Sequence, residues 1–510
     1  MQMNHNAITE LLKPRNCIFL CIFLTLIVHL PFFGLMPRSV HVWRQSHTLA
    51  VARNFYEESM NLFKPRIDGR KNKDGVTGMQ FPFFEYNLAM IYKVFGFRQS
   101  FPRILNFFYF CLGIIGVYYL FLYFYKTYLG AALAAWTFTW SPELFYYSIC
   151  ALPDISALTF SVWGLYFFFR WFDDEKDIRF FYLSLIAISL GGLIKIQYLS
   201  VGFPIAVIVL RKAFQHKISK KTSILLTVFG IISVCLPISW YMYANYLIET
   251  SGLTDFGLHF KPAPDWEYAF KTVKKNISRD IPTFLLNFAS SILFVFGIYI
   301  FIKKKRWKTN KWSLPLGIMS IGFLAYYIIQ LESMRDHIYY MFPFLFVLIF
   351  PVYYGYLFLS IYLKKWRIYL IYSVVLLVPS LTVYTMSLER FVLDDLFTHL
   401  PKELYNRTSR IHLAECVKEK YNICVGPDES NCIFLYFLNK KGYSFANAQE
   451  MIKSGELDTL LKRNVQYLYL NDTNPDHLCL LEPYIKKEIL REGNFAVFKL
   501  KKYTDRVKKE

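Results

Sequence analysis

A chain of 510 residues that is 55% hydrophobic, 19% aromatic and only 19% charged, with a mean hydropathy of +0.29, is not an ordinary soluble globule. Its formal charge of +21 does not point to nucleic acid, because Lys and Arg lie in short clusters between apolar runs, where membrane topology accounts for them. Nine cysteines form no CxxC pair and no metal-ligand spacing, and the Walker, GxGxxG, HExxH and GxSxG elements of ATP coupling, dinucleotide redox, zinc proteolysis and serine hydrolysis do not occur.

Apolar runs of about 18 residues or more, enough to cross a bilayer, recur at 17–36, 104–125, 129–149, 155–172, 224–246, 284–302, 314–331, 338–363 and 368–386. The stretch 180–210 holds two short spans broken near Gly191, Gly192 and Lys195, which makes about eleven spans in all. Met36-Pro37-Arg38 is a poor cleavage site, so the first run reads as a retained anchor. Between the first two runs stands a long polar loop with three dense segments: HVWRQSHTLAVARNFY (41–56), KPRIDG (64–69) and GMQFPFFEY (78–86). Spanning does not require such a loop, so it reads as a site.

The positive-inside rule orients the chain. The clusters Arg211/Lys212/Lys217/Lys220/Lys221, Lys303/Lys304/Lys305/Arg306/Lys308/Lys311 and Lys364/Lys365/Arg367 are expected on the cytoplasmic side, as is the N-terminus with Lys13 and Arg15. A spanning segment 81–96 would invert every later loop, so it is expected as a helix in the outer interface, where Glu85, Asn87 and Lys93 fit. The outer loop then covers 37–102 and shares its side with the Asp154 turn, 249–281 and 332–337. Beyond Met386, strand-like runs at 421–425, 465–470 and 495–500 alternate with helical ones at 433–441 and 448–462. The expected organisation is an all-α polytopic membrane domain over 1–388, followed by a small extracytoplasmic α/β domain over 389–510. Sequons at Asn276, Asn406 and Asn471 fall on the outer side, where Cys416, Cys424, Cys432 and Cys479 are also free to form disulfides.

Several residues carry chemistry in principle. His41, Arg44, Gln45, His47 and Arg53 either pair with lipid headgroups at an interface or recognise a phosphate, for which the guanidinium fork is suited. Lys64, Arg66, Asp68, Gln80 and Glu85 lie further along the same loop. Asp154 either caps the helix that follows or acts as a general base or metal ligand. Lys195 is either an intramembrane functional cation or a snorkelling interfacial one. Arg335, Asp336, His337, Tyr339 and Tyr340 either line the same cavity or pair among themselves.

Phe63 to Gly69 followed by Gln80-Phe81-Pro82 resembles the first-loop pattern PR(L/I)(N/D)G…EKPP of the GT-C glycosyltransferases of the protein O-mannosyltransferase and aminoarabinose lipid A transferase group, a glycosyltransferase family 39-like set. Trp43-Arg44-Gln45 with Ala52 to Phe55 resembles a bacterial branch of it, and Leu152-Pro153-Asp154 matches an aspartate found after the third span. The resemblance implies an inverting transfer of a sugar from a polyprenyl-phosphate donor to a lipid, glycan or protein acceptor, at the outer face of a bacterial inner membrane. It implies catalytic roles among His47, Asp68, Glu85 and Asp154, and substrate contacts from His41, Arg44, Gln45, Arg53, Arg66, Gln80, Lys195, His337 and Tyr340. No cofactor is required by it, although a divalent metal ion stays open. Two positions depart from the pattern: His47 stands where related chains tend to have Asp, and Gln80 replaces the usual Glu. A non-catalytic relative that binds a lipid-linked glycan, and a lipid-glycan flippase, are therefore the competing expectations.

Overall fold

The computed structural model describes residues 10–71, 74–174, 177–253, 260–362, 367–392, 400–472 and 474–504, which leaves Lys364, Lys365 and the sequon's Thr473 outside. The chain divides into two compact units: Met1–Gly34, Ser100–Tyr243 and Leu258–Val392 form the first, and Leu35–Gln99, Ala244–Gly257 and Leu393–Glu510 the second.

In the first unit every apolar run becomes helix. Among the described residues, seven helices are long and apolar enough to cross a membrane, or eight if Trp266–Leu285 with Phe288–Lys303 is one broken span. The shorter apolar helices Tyr128–Thr139, Ile178–Ile194 and Ser313–Ile329 add to these, beside the about eleven spans read from the sequence. Run 129–149 is interrupted, since Pro142 cannot continue the helix Tyr128–Thr139 and a six-residue helix, Pro142–Tyr147, follows instead. Ile178–Ile194 and Ser313–Ile329 have 17 residues each, about 25 Å of helix, short of a hydrocarbon core of about 30 Å. Lys195, with extended backbone, separates Ile178–Ile194 from the next helical segment.

Small residues let these helices approach. A Cβ on Gly297 would strike the Pro351 carbonyl, and one on Gly355 would strike that of Leu293, so the helices Phe288–Lys303 and Leu345–Tyr362 pack backbone to backbone. Polar side chains add ties between helices, such as Thr137 Oγ1 with Ser290 Oγ at 3.0 Å and the Asn106 amide donating to the carbonyls of Tyr147 (2.8 Å) and Cys150 (2.6 Å). The sequon residue Asn276 is fully buried and donates to Tyr327 Oη at 2.8 Å.

The second unit is built on a five-stranded sheet: β1 Ile423–Gly426, β2 Gly442–Ser444, β3 Tyr467–Asn471, β4 Ile485–Glu492 and β5 Phe495–Leu500, in the order β2-β1-β3-β5-β4. β1 runs parallel to β2 and β3, while β5 runs antiparallel to β3 and β4. The helical run 448–462 is two helices, Ala448–Lys453 and Glu456–Lys462, because Gly455 turns the chain at φ 70°. Leu457, Leu460, Leu468, Leu470 and Phe498 close the core. The polar loop joins this sheet: Arg66 pairs antiparallel with Val76, and Gly69 pairs with Gly442 beyond the β2 edge, where Gly442 N donates to Asp68 O at 3.0 Å. Helix Phe83–Phe95, read from sequence as 81–96, buries Phe84, Glu85, Leu88, Ala89 and Tyr92 and exposes Met90, Val94 and Phe95. Cys416, Cys424, Cys432 and Cys479 are free thiols.

Replacing Gly297 or Gly355 by Leu is expected to cost about 1–3 kcal/mol by overpacking, read as a lower melting temperature and loss of the monodisperse species in size-exclusion chromatography. Gly317→Ala, with open space around it, is expected to leave both unchanged.

Candidate functional site

The loop residues singled out from the sequence collect on the helix Val42–Glu57, which is buried along most of its length, polar residues included. His41 precedes it at φ 62°, a left-handed conformation that few non-glycine residues adopt. Burial of Arg44, Gln45, His47, Arg53 and Asn54 on one helix is costly unless each is held by partners. Gln45 Nε2 donates to the Arg38 carbonyl at 3.3 Å. Arg53 is clamped on both sides: Nη2 donates to Asp68 Oδ2 at 2.6 Å, Nη1 to the Tyr436 carbonyl at 3.0 Å, and the guanidinium lies 4.7 Å from the Tyr436 ring centroid. Asn54 occupies the other oxygen of Asp68 at 3.1 Å. With both oxygens engaged and its side chain sealed, Asp68 has the geometry of a structural clamp rather than of a base. Arg66 pairs with Glu58 at 3.7 Å, and Glu58 with buried Lys441 at 2.7 Å.

Glu85 is the opposite case. It is fully buried, and no residue among those described hydrogen-bonds either carboxylate oxygen. Burial pushes its pKa up to about 7, with the Arg44 charge working against the rise. The nearby-in-sequence Gln80 is also buried, its amide nitrogen without a hydrogen bond among the described residues. His47 goes the other way, pulled down to about 3 by burial and then by the Arg44 charge. At neutral pH it is therefore an uncharged imidazole of low basicity. Of the loop's candidate bases, Glu85 has the pKa matched to proton transfer near pH 7.

The remaining candidates gather in the first unit. Lys195 Nζ lies 3.0 Å from Asp154 Oδ1, and 4.9 and 5.2 Å from the ring centroids of Tyr340 and Tyr339. The His337 ring stacks on Tyr340 at 5.8 Å. Asp154 is in the first turn of Asp154–Asp173 and makes no cap bond, so pairing with Lys195 rather than capping accounts for it. Lys195, 13% exposed, does not snorkel into solvent. Sequence reasoning missed Glu143 and Arg390, a buried pair with both guanidinium nitrogens 3.4–3.5 Å from the carboxylate. The available signal was a carboxylate inside the apolar run 129–149. Among the described residues no group of three His, Cys, Asp or Glu is gathered where a metal ion would sit.

With this geometry in view, comparison with known proteins gives a consistent class. Residues 80–241, about a third of the chain, match the family model of dolichyl-phosphate-mannose-protein mannosyltransferases. No curated protein matches by sequence. Among solved structures, ArnT from Cupriavidus metallidurans, known in the apo state and bound to undecaprenyl phosphate, superposes with a TM-score of 0.61 at 12% identity over 94% of this chain and 97% of that one. The oligosaccharyltransferase of Archaeoglobus fulgidus, crystallised with Zn and sulfate, gives 0.58 at 12% identity over 92% of this chain and 71% of that one. The oligosaccharyltransferase AglB from the same organism, in complex with an inhibitory peptide and a dolichol-phosphate, gives 0.52 at 12% identity over 90% and 69%. The chain is an integral membrane protein with the GT-C fold. The resemblance implied by its first-loop motifs, to the protein O-mannosyltransferase-like group, stands.

Two outcomes follow for the loop residues. Asp68→Ala strands the buried Arg53 charge and is expected to cost about 3–5 kcal/mol, with the double variant Arg53→Met/Asp68→Ala recovering part of it in thermal unfolding. Glu85 keeps its proton in the fold from about pH 4.5 to about 7, where the unfolded chain has released it, so its burial destabilises the protein increasingly as pH rises through that window. Glu85→Gln is therefore expected to raise the melting temperature most above pH 7 and not at all near pH 4.

Proposed function

We propose that this protein transfers a sugar from a polyprenyl-phosphate carrier to an acceptor hydroxyl at the outer face of the membrane. The observation that carries the reading is Lys195: a cation held by Asp154 and walled by Tyr339 and Tyr340 at a break in a helical membrane unit, in a fold whose relatives have been crystallised with undecaprenyl phosphate and dolichol-phosphate. A lipid-linked donor reaches such a site sideways through the bilayer, so no nucleotide pocket is needed. In this reading Lys195 binds the donor phosphate, which leaves as the bond from the sugar's anomeric carbon to the phosphate oxygen breaks. The acceptor oxygen forms the new bond from the opposite side, inverting the centre, and gives up its proton to a base. Aromatic walls at Tyr339, Tyr340 and His337 suit the face of a sugar or an isoprenoid chain.

The second reading, a binder without turnover, rests on the first-loop resemblance, which implies acids at the positions held here by His47 and Gln80. The two readings separate in one experiment. Membranes containing the protein are incubated with a panel of radiolabelled polyprenyl-phosphate sugars, and both bound donor and labelled product are measured. Product is expected, with Lys195→Met weakening donor binding. Donor binding with no product from any sugar would leave only the second reading, and no binding would remove both.

A further inference from the structure

Helix Trp266–Lys275, with its continuation through Leu285, has its faces reversed relative to a helix on a soluble protein. The side toward the protein is polar: Thr272, Asn276 and Asp280 are buried, and Asn276 Nδ2 donates to Tyr327 Oη at 2.8 Å and to the Met334 carbonyl at 3.3 Å. The outward side is apolar. Trp266, Phe270 and Ile277, spaced to share one helical stripe, are 91%, 69% and 66% exposed. Lys271 and Lys274 are exposed beside that stripe, Lys271 lying 2.5 Å from the exposed Glu267 carboxylate, so the edge carries a net positive charge through Lys274. A helix with this division and cations along its apolar edge is stable where one side meets acyl chains and the other meets headgroups. The backbone agrees: the segment Trp266–Leu285 meets the apolar helix Phe288–Lys303 at a bend of 117°, so when the latter crosses the bilayer the former lies close to its plane.

We infer that this helix is an in-plane docking surface for anionic phospholipid, with Trp266, Phe270 and Ile277 entering the acyl layer while Lys271 and Lys274 hold headgroup phosphates. The occupant is lipid rather than a protein partner because the stripe and its flanking cations match the two layers of a leaflet edge, and because the bend fixes the helix along that edge. About 1 kcal/mol for each lysine near an anionic surface corresponds to about fivefold enrichment per contact.

The test uses the full chain carrying Phe270→p-benzoylphenylalanine, reconstituted in equal parts phosphatidylglycerol and phosphatidylcholine, irradiated and read by intact mass. A lipid adduct is expected, with phosphatidylglycerol favoured over phosphatidylcholine by about threefold or more. Lys271→Gln/Lys274→Gln should return that ratio to one while leaving the total adduct yield unchanged. Absence of a lipid adduct, an adduct to protein, an unbiased ratio in the chain with both lysines, or a bias that survives their removal would each overturn the inference.

Discussion

A chain folded in lipid has to satisfy its polar groups from within, and the first unit is organised around two places where that demand is acute. One is the interruption at Pro142. The short helix after it, and the turn to Asp154, leave carbonyls that a continuous span would have paired. Three side chains from elsewhere meet four of them: His29 reaches the Phe145 carbonyl at 3.0 Å, Asn106 those of Tyr147 and Cys150, and Arg103 that of Ile149 at 3.2 Å. The other place is Lys195, whose charge is compatible with a buried position because Asp154 lies beside it. Both breaks are helical discontinuities that the packing accommodates, and the second leaves a cation with a carboxylate and two tyrosine rings in one spot.

The second unit shows what happens when the same demand is met at one carboxylate and not at another. Asp68 and Glu85 are equally inaccessible. Asp68 receives a guanidinium and an amide, and the next residue, Gly69, pairs with Gly442 at the edge of β2. Glu85 receives no hydrogen bond from another described residue, and its ionisation moves into the range where a protein can use it. A fold that spends Arg53 and Asn54 on one acid and leaves the next orphaned places structure and chemistry on different residues of the same loop.

Much of this was legible in the sequence, for physical reasons that differ by element. Long apolar runs report helices because the bilayer sets their length, and each run did become helix. Their interruptions were legible only where a residue forbids continuation, as Lys195 suggested and Pro142 should have. Strands β1, β3 and β5 announced themselves by β-branched and aromatic runs, whereas three-residue β2 and the charged edge strand β4 did not. The pairing of Gly69 with Gly442, and of Glu143 with Arg390 across 247 residues, are long-range facts that no local pattern encodes. For the site, the identities of the candidate residues were readable, but their roles depended on burial: Asp68 looks like an acid in sequence and is a clamp in space.

The two departures from the family pattern acquire a common sense in this light. An arginine buried as deeply as Arg44 needs negative charge within reach of its field, and a chain with His at position 47 and Gln at position 80 supplies none at either place. Burial, and after it the Arg44 charge, lower the pKa of His47 and keep that ring neutral, while burial raises that of Glu85 against its own backbone hydrogen bond and the Arg44 charge. Restoring an acid at position 47 would place two carboxylates around one guanidinium, and each would then compete for its charge. With His47 and Gln80 neutral, Glu85 is left as a buried acid whose pKa burial lifts to about 7.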